Sequence, residues 1–374
     1  MSLVPENAGH CCVFGMSLER CEDGVAAFAG MLAGKRLLRF ARNDTKTSVI
    51  ARERSDRGNL VPASPTRFPR AGFLFSPLLV LLAMTAAFAD PAALVFTQAG
   101  PETYAFDTGV LRGGLRAEGK SVGLLAFEHT ATKTRLDGND YGLMSHYRVF
   151  TANRRYGGGA WYWPSTSRLL PGGAVEVRWA PEEGRPFEMT AVYRWAAPDT
   201  LDLTTSVTAK EDLKGFESFL ASYFTKDFPS ATVCVKDGPE GKPAFRSTPE
   251  SAGPWQVFPR DAAAVALIQD GRWKIEPNPV DWAVRDELYA PLIIRRNQDT
   301  GVCAVFMAPR EDSFGVMSPC EGEAHYSCYL NQIGRDVKAG ETVSARARLV
   351  VRPLAKDEEA LALYDAYLRE LAAP

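Results

Sequence analysis

Residues 187–207 read FEMTAVYRWAAPDTLDLTTSV. Phe187, Met189, Ala191, Tyr193 and Trp195 alternate with Glu188, Thr190 and Arg194. After the breaker Ala197-Pro198-Asp199, Leu201, Leu203 and Val207 alternate with Asp202, Thr204 and Ser206. A period of two places one face of each strand in a core and the other in water. A short breaker carrying Pro and Asp suits a hairpin. Parallel strands would need a much longer crossover between them, so this stretch predicts antiparallel pairing.

The same rhythm extends outward. Val175, Val177 and Trp179 alternate with Glu176 and Arg178 after Pro171-Gly172-Gly173. Residues 262–268 and a segment around Trp273 read as two strands flanking Asp270-Gly271, a two-residue hairpin signal. Residues 292–295 and 302–307 flank the turn 297–301, and Ala345, Ala347, Leu349 and Val351 alternate with Arg346, Arg348 and Arg352 after Lys338-Ala339-Gly340. Many short strands without a linker predict one all-β domain over residues 90–374, a large antiparallel β-sandwich. Residues 356–371 read as a C-terminal helix. Leu361, Tyr364, Leu368 and Leu371 recur at three- and four-residue intervals, and Asp357, Glu358 and Glu359 fill the first turn, where the helix dipole favours acids. Its apolar stripe is expected to dock on the sandwich.

The chain of 374 residues is 46% hydrophobic and 24% charged, with a net charge of −2, which excludes disordered, collagenous and coiled-coil classes. The near-neutral balance argues against an electrostatic nucleic-acid binder. Residues 73–84 (FLFSPLLVLLAM) follow Arg67 and Arg70 and end in Ala87-Phe88-Ala89. A basic flank, a short apolar core and an Ala-x-Ala exit predict a signal peptide over 71–89, cut after Ala89, and hence a periplasmic or secreted protein. An uncleaved anchor is the alternative, but the run is short of the ~20 residues a bilayer span needs. Residues 1–70 read as a spurious or disordered extension, with the true start expected between 59 and 70. Beyond that prefix Cys234, Cys303, Cys320 and Cys328 remain. They permit two disulfides in any pairing, or free buried thiols.

The densest chemistry lies at 137–163, DGNDYGLMSHYRVFTANRRYGGGAWYW. On an extended chain His146, Arg148 and Phe150 would share one face and Tyr147 and Val149 the other. His146 is read as a proton-transfer residue. Tyr147, Arg148, Arg154, Arg155, Trp161 and Trp163 are read as ligand contacts, against the alternative of core aromatics and wet-face arginines. Asp137-Gly138-Asn139-Asp140 reads as a turn, since a calcium loop would need a distal Glu. Later, CEGEAHYSCYL (320–330) places Glu323 and His325 two apart, an acid–base pair if the chain is extended and a solvated face otherwise. Glu217, Tyr223 and Arg260 complete the candidates. No HExxH or CxxC occurs, and neither metal nor cofactor is expected.

The run VYRWAAPDTLDLTTSVTAKEDLKGFESFLASYF (192–224) resembles the central strands of galactose mutarotase-like β-sandwiches, and AGETVSARARLVV (339–351) resembles the strand that often closes them. The resemblance covers most of residues 95–355 and is one of strand rhythm. It implies a sugar-binding sandwich. In epimerases of that superfamily a histidine and a late glutamate transfer protons, but no catalytic motif aligns here and no residue role is carried over. The expectation is an exported carbohydrate-active protein that binds a small saccharide or oligosaccharide on the concave face of the sandwich, with acid–base chemistry at a sugar carbon by His146 and Glu217 or Glu323. The alternative is a non-catalytic envelope module that only binds carbohydrate. No nucleic-acid partner and no membrane span after cleavage are expected, and the oligomeric state is not defined by the sequence.

Overall fold

A computed structural model describes residues 94–118 and 121–373. The chain divides into two units, Met1–Leu81 and Leu82–Pro374, and every described residue belongs to the second. The expected signal segment 71–89, its cleavage point and the extension before it lie outside the described residues.

The hairpin predicted from 187–207 forms as expected. Phe187–Ala197 and Thr200–Ala209 pair antiparallel, with Met189 opposite Val207, Tyr193 opposite Leu203 and Trp195 opposite Leu201. All six of these side chains are buried. Val175–Trp179 adds to one side of the hairpin and Thr342–Pro353 to the other. The result is a nine-stranded antiparallel sheet in the order 242–247, 230–237, 288–296, 302–307, 342–353, 200–209, 187–197, 175–179, 166–169. A seven-stranded sheet faces it, in the order 283–284, 255–259, 313–319, 327–337, 213–223, 145–151, 154–155. A five-stranded sheet over 97–135 precedes both in the chain.

Three apolar clusters follow from this layering. The largest fills the gap between the two big sheets and takes Trp179, Met189, Tyr193 and Leu349 from one and Val149, Phe216, Leu220 and Leu330 from the other. A second lies on the outer face of the nine-stranded sheet under the helix Glu358–Ala372, which buries Ala360, Tyr364 and Tyr367 against Leu292, Val305 and Val350. This is the docking expected for the C-terminal helix. Cys234 and Cys303 sit in that cluster, and all four described cysteines are free buried thiols. The third cluster lies on the outer face of the seven-stranded sheet, where Phe150, Phe219, Tyr223 and Tyr329 meet Trp161 and Trp273.

One element departs from expectation. Ala262–Ile268 is an α-helix, and Arg272–Lys274 a single 3-10 turn. Asp261 caps the helix by accepting from the Ala264 N–H at 2.8 Å, and burial falls on Ala264 and Ile268, a four-residue spacing. An N-cap before an alanine run favours a helix over a strand. Asp270-Gly271 starts the 3-10 turn rather than a hairpin: Asp270 accepts from the Arg272 N–H at 3.0 Å, and Gly271 has a φ of 100°, where only glycine rests without strain. Asp261→Ala is expected to lower the unfolding free energy by about 1 kcal/mol. Urea denaturation tests this, and an unchanged midpoint would show the cap to be idle.

Candidate functional site

The site begins with an irregularity in the strand Ser145–Thr151. Its partner Leu213–Tyr223 pairs Ser218 with Val149 and Leu220 with His146, so Tyr147 and Arg148 together stand opposite Phe219. This β-bulge shifts the alternation by one. Tyr147, Arg148 and Phe150 all join the outer face, while His146 and Val149 turn into the core between the sheets. The expected grouping of His146 with Arg148 and Phe150 is therefore corrected: the bulge separates them.

On that outer face lies a cavity of about 630 Å³. One wall is a stack of four planar groups. The Arg148 guanidinium lies 5.0 Å from the Tyr147 ring, Tyr147 stacks on Trp161 at 4.1 Å and 10°, and Trp161 stacks on Tyr141 at 4.5 Å. Gly159 permits this packing: a Cβ there would stand 2.9 Å from Tyr147 Cδ2 and 3.0 Å from Trp161 Nε1. The other side of Arg148 faces the Trp273 ring at 5.1 Å. Trp273 in turn meets Phe219 and Trp282 edge-on at 4.8 and 5.2 Å.

Two arginines hold the walls without lining the cavity. Arg155 donates to the carbonyls of Gly157 at 3.0 Å, Gly158 at 2.7 Å and Pro277, tying the glycine loop to the loop that carries Pro277, Asn278 and Pro279 past the cavity. Arg272 anchors the turn bearing Trp273. It donates to Glu217 Oε2 at 3.2 Å, to Asp270 Oδ2 at 2.8 Å and to the Gly215 carbonyl at 2.7 Å. The side chains of Arg272 and Glu217 are both 0% exposed, and Asn331 donates to the other Glu217 oxygen at 2.6 Å. Burial pushes the Glu217 carboxyl up against the opposing pull of Arg272 and Asn331. Glu217, read as a catalytic carboxylate, stands behind the wall and is not among the residues that line the cavity.

Glu323 and His325 meet at the rim. They lie in the turn before Ser327–Val337 rather than on an extended strand. Glu323 accepts from the His325 backbone N–H at 2.8 Å and its oxygens lie 2.6 and 2.7 Å from His325 Nδ1. The carboxylate thereby orients the ring and favours the Nδ1–H tautomer, which leaves Nε2 with a lone pair. His325 lines the cavity, half exposed, with its ring 5.2 Å from Trp255. Tyr223 and Tyr329 line the cavity too. They contact each other, and Ser327 Oγ lies 2.5 Å from Tyr329 Oη. Burial pushes both phenols up, so they stay protonated and serve as hydrogen-bond groups.

The remaining sequence candidates lie elsewhere. His146 is buried in the inter-sheet core, with Nε2 2.9 Å from Thr205 Oγ1 and its ring 5.3 Å from Trp179. Trp163 packs in that core with the Arg185 guanidinium 4.2 Å above its ring. Arg154 is exposed over Tyr156, and Arg260 pairs with Asp261 beside the helix cap. Tyr141, Trp273, Trp282 and Tyr329 line the cavity and were absent from the sequence candidates. They are scattered over nearly 190 positions of the chain, so density along the sequence could not reveal them. Among the described residues no group of three His, Cys, Asp or Glu side chains is placed to hold a metal, and no helix is long and apolar enough to cross a membrane.

Fold and cavity together define an antiparallel β-sandwich with an aromatic-walled site on one outer sheet face. No family model matches the chain, and no curated protein does. Among solved structures, it is similar to an aldose epimerase homologue from C. elegans, with 8% identity over 65% of this chain and 96% of that one and a TM-score of 0.38. It is also similar to an α-N-acetylgalactosaminidase from Bifidobacterium bifidum, with 12% identity over 74% of this chain and 38% of that one and a TM-score of 0.41. A heparan sulfate lyase from Pedobacter heparinus aligns at 7% identity over 70% of this chain and 37% of that one, with a TM-score of 0.40. At these scores no residue role and no activity passes from these proteins to this chain.

Proposed function

We propose that this is an exported carbohydrate-active protein that holds a saccharide in the aromatic cavity and transfers a proton at a sugar carbon through His325. The observation that carries the reading is the carboxylate-oriented imidazole of His325 at the rim of a cavity walled by tyrosine and tryptophan rings. Aromatic rings receive the apolar C–H face of a sugar, while Tyr223, Tyr329 and Asn139 supply polar groups that fix its hydroxyls. With Nδ1–H held by Glu323, Nε2 can accept a proton from the substrate and return it. The basic-apolar-small pattern of residues 67–89 supports export.

A role in recognition alone is the second reading. The observation favouring it is that no aspartate or glutamate side chain stands among the lining residues, so a bound sugar would meet no carboxylate from the cavity walls. Calorimetric titration of the protein with mono- and oligosaccharides tests the shared part, with Trp161→Ala expected to abolish most of the signal. Absence of heat with every sugar would end both readings. Incubation of any bound sugar in D₂O then separates them. Exchange of a carbon-bound hydrogen is expected, slowed about a hundredfold by His325→Ala and less by Glu323→Gln. Binding without exchange would leave recognition alone.

A further inference from the structure

Arg148 differs from the other buried arginines of the described residues. Arg272 meets Glu217 and Asp270, Arg348 meets Asp202 and Glu370, Arg185 meets Glu182, and Arg295 donates to the Phe228, Pro229 and Ser327 carbonyls and to Ser318 Oγ. Arg148 is only 5% exposed, yet it makes no ion pair among the described residues. Its single hydrogen bond is a long one, from Nη2 to Tyr147 Oη at 3.5 Å, and its Nε and Nη1 find no acceptor. The guanidinium is instead clamped between the faces of Tyr147 and Trp273, which fix its plane and satisfy none of its donors. A buried cation with unanswered N–H groups is unfavourable unless something else supplies the acceptors. The bulge brings this cation to the cavity, where no aspartate or glutamate side chain stands among the lining residues.

We propose that the saccharide carries an acidic substituent, a carboxylate, sulfate or phosphate, received by Arg148. The inference rests on the saccharide reading above and narrows it to acidic sugars. A charge-assisted hydrogen bond to guanidinium is about twice as strong as a neutral one, and here it also fills donors that are otherwise empty. The cavity, at about 630 Å³ and walled by tryptophan and tyrosine rings around Arg148 and His325, is far larger than a free anion needs. The acidic group therefore enters as part of a larger, partly apolar molecule.

The test is calorimetric titration of the protein with matched pairs: galactose against galacturonate, glucose against glucuronate, glucose 6-sulfate and glucose 6-phosphate. At least one acidic member is expected to bind tenfold or more tightly than its neutral partner, and which one does so identifies the acid. Arg148→Gln is expected to reduce that preference to less than threefold, and Arg148→Lys to retain part of it. Neutral sugars binding as tightly as every acidic partner would overturn the inference and leave the saccharide reading standing. No binding by any sugar would overturn that reading itself. Sodium acetate or sulfate binding as tightly as the sugar acids would overturn the inference as well. If the Arg148 variants fail to fold, the matched pairs on the unaltered protein still decide.

Discussion

Replacing Arg272 with methionine is expected to lower the unfolding free energy by about 3–5 kcal/mol, because it leaves the Glu217 carboxylate buried without its cation. Both side chains are wholly removed from solvent, so water cannot take the place of the lost partner. The pair itself need not be strongly stabilising; desolvating both ions offsets much of their attraction. The penalty belongs to breaking it. The double variant Arg272→Met with Glu217→Gln is therefore expected to be more stable than Arg272→Met alone. The neutral amide introduced by Glu217→Gln would still accept from Asn331, which now donates to Glu217 Oε1 at 2.6 Å. Urea denaturation of the three proteins checks this, and a double variant as weak as the single one would show that the loss comes from packing. The cavity should feel the change too, since Arg272 adjoins Trp273 and ties its turn to Gly215 and Glu217.

The protein is also expected to lose stability in acid through His146. Burial alone pulls this imidazole down to about 3, and its Nδ1 has no partner among the described residues to favour a second proton. In the unfolded chain a histidine titrates near 6.5. Between those values the unfolded state binds the additional proton, so stability falls as pH drops below about 6.5 and continues to fall toward pH 3, by a little over 1 kcal/mol per unit. The loss attributable to His146 reaches roughly 3 kcal/mol at pH 4.5. His146→Gln, neutral throughout, should flatten that part of the profile while lowering stability near pH 7.5, where the native contact with Thr205 is intact. Parallel acid limbs for the two proteins would show that His146 does not titrate on unfolding.

The layered β architecture was legible because its strands obey simple physics: in 187–207 every buried face recurs at a period of two, and the partner strand 342–353 does the same up to Ala347, beyond which the C-terminal helix covers its outer face as well. The helix 262–268 was misread because its short apolar run has no clear period, and the decisive signals were Asp261 and the alanines. The site was harder. Tyr147, Arg148, Trp161, Tyr223 and His325 were all singled out and all reach the cavity. His146 does not, because the alternation it was assigned by breaks at its neighbour, and register irregularities depend on the opposite strand. Glu217 stands behind the cavity wall with Arg272, a partner 55 positions away and invisible to local reading. Trp255, at the start of strand 255–259, Trp273 in the 3-10 turn and Trp282 reach the cavity from segments far from the 137–163 cluster.

Two side chains, Tyr147 and Arg148, occupy one rung of the ladder opposite Phe219. Losing Tyr147 or Arg148 would leave an ordinary rung and turn nothing else over, whereas losing Val149 or Phe150 would pull the bulge straight and exchange inside for outside beside it. The guanidinium would then be driven into the oily gap beside Trp179, or a core valine would be turned out toward solvent. The length of this short segment is thus under as strict a constraint as its spelling, and insertions or deletions in it should be far less tolerated than in the turns beyond its ends.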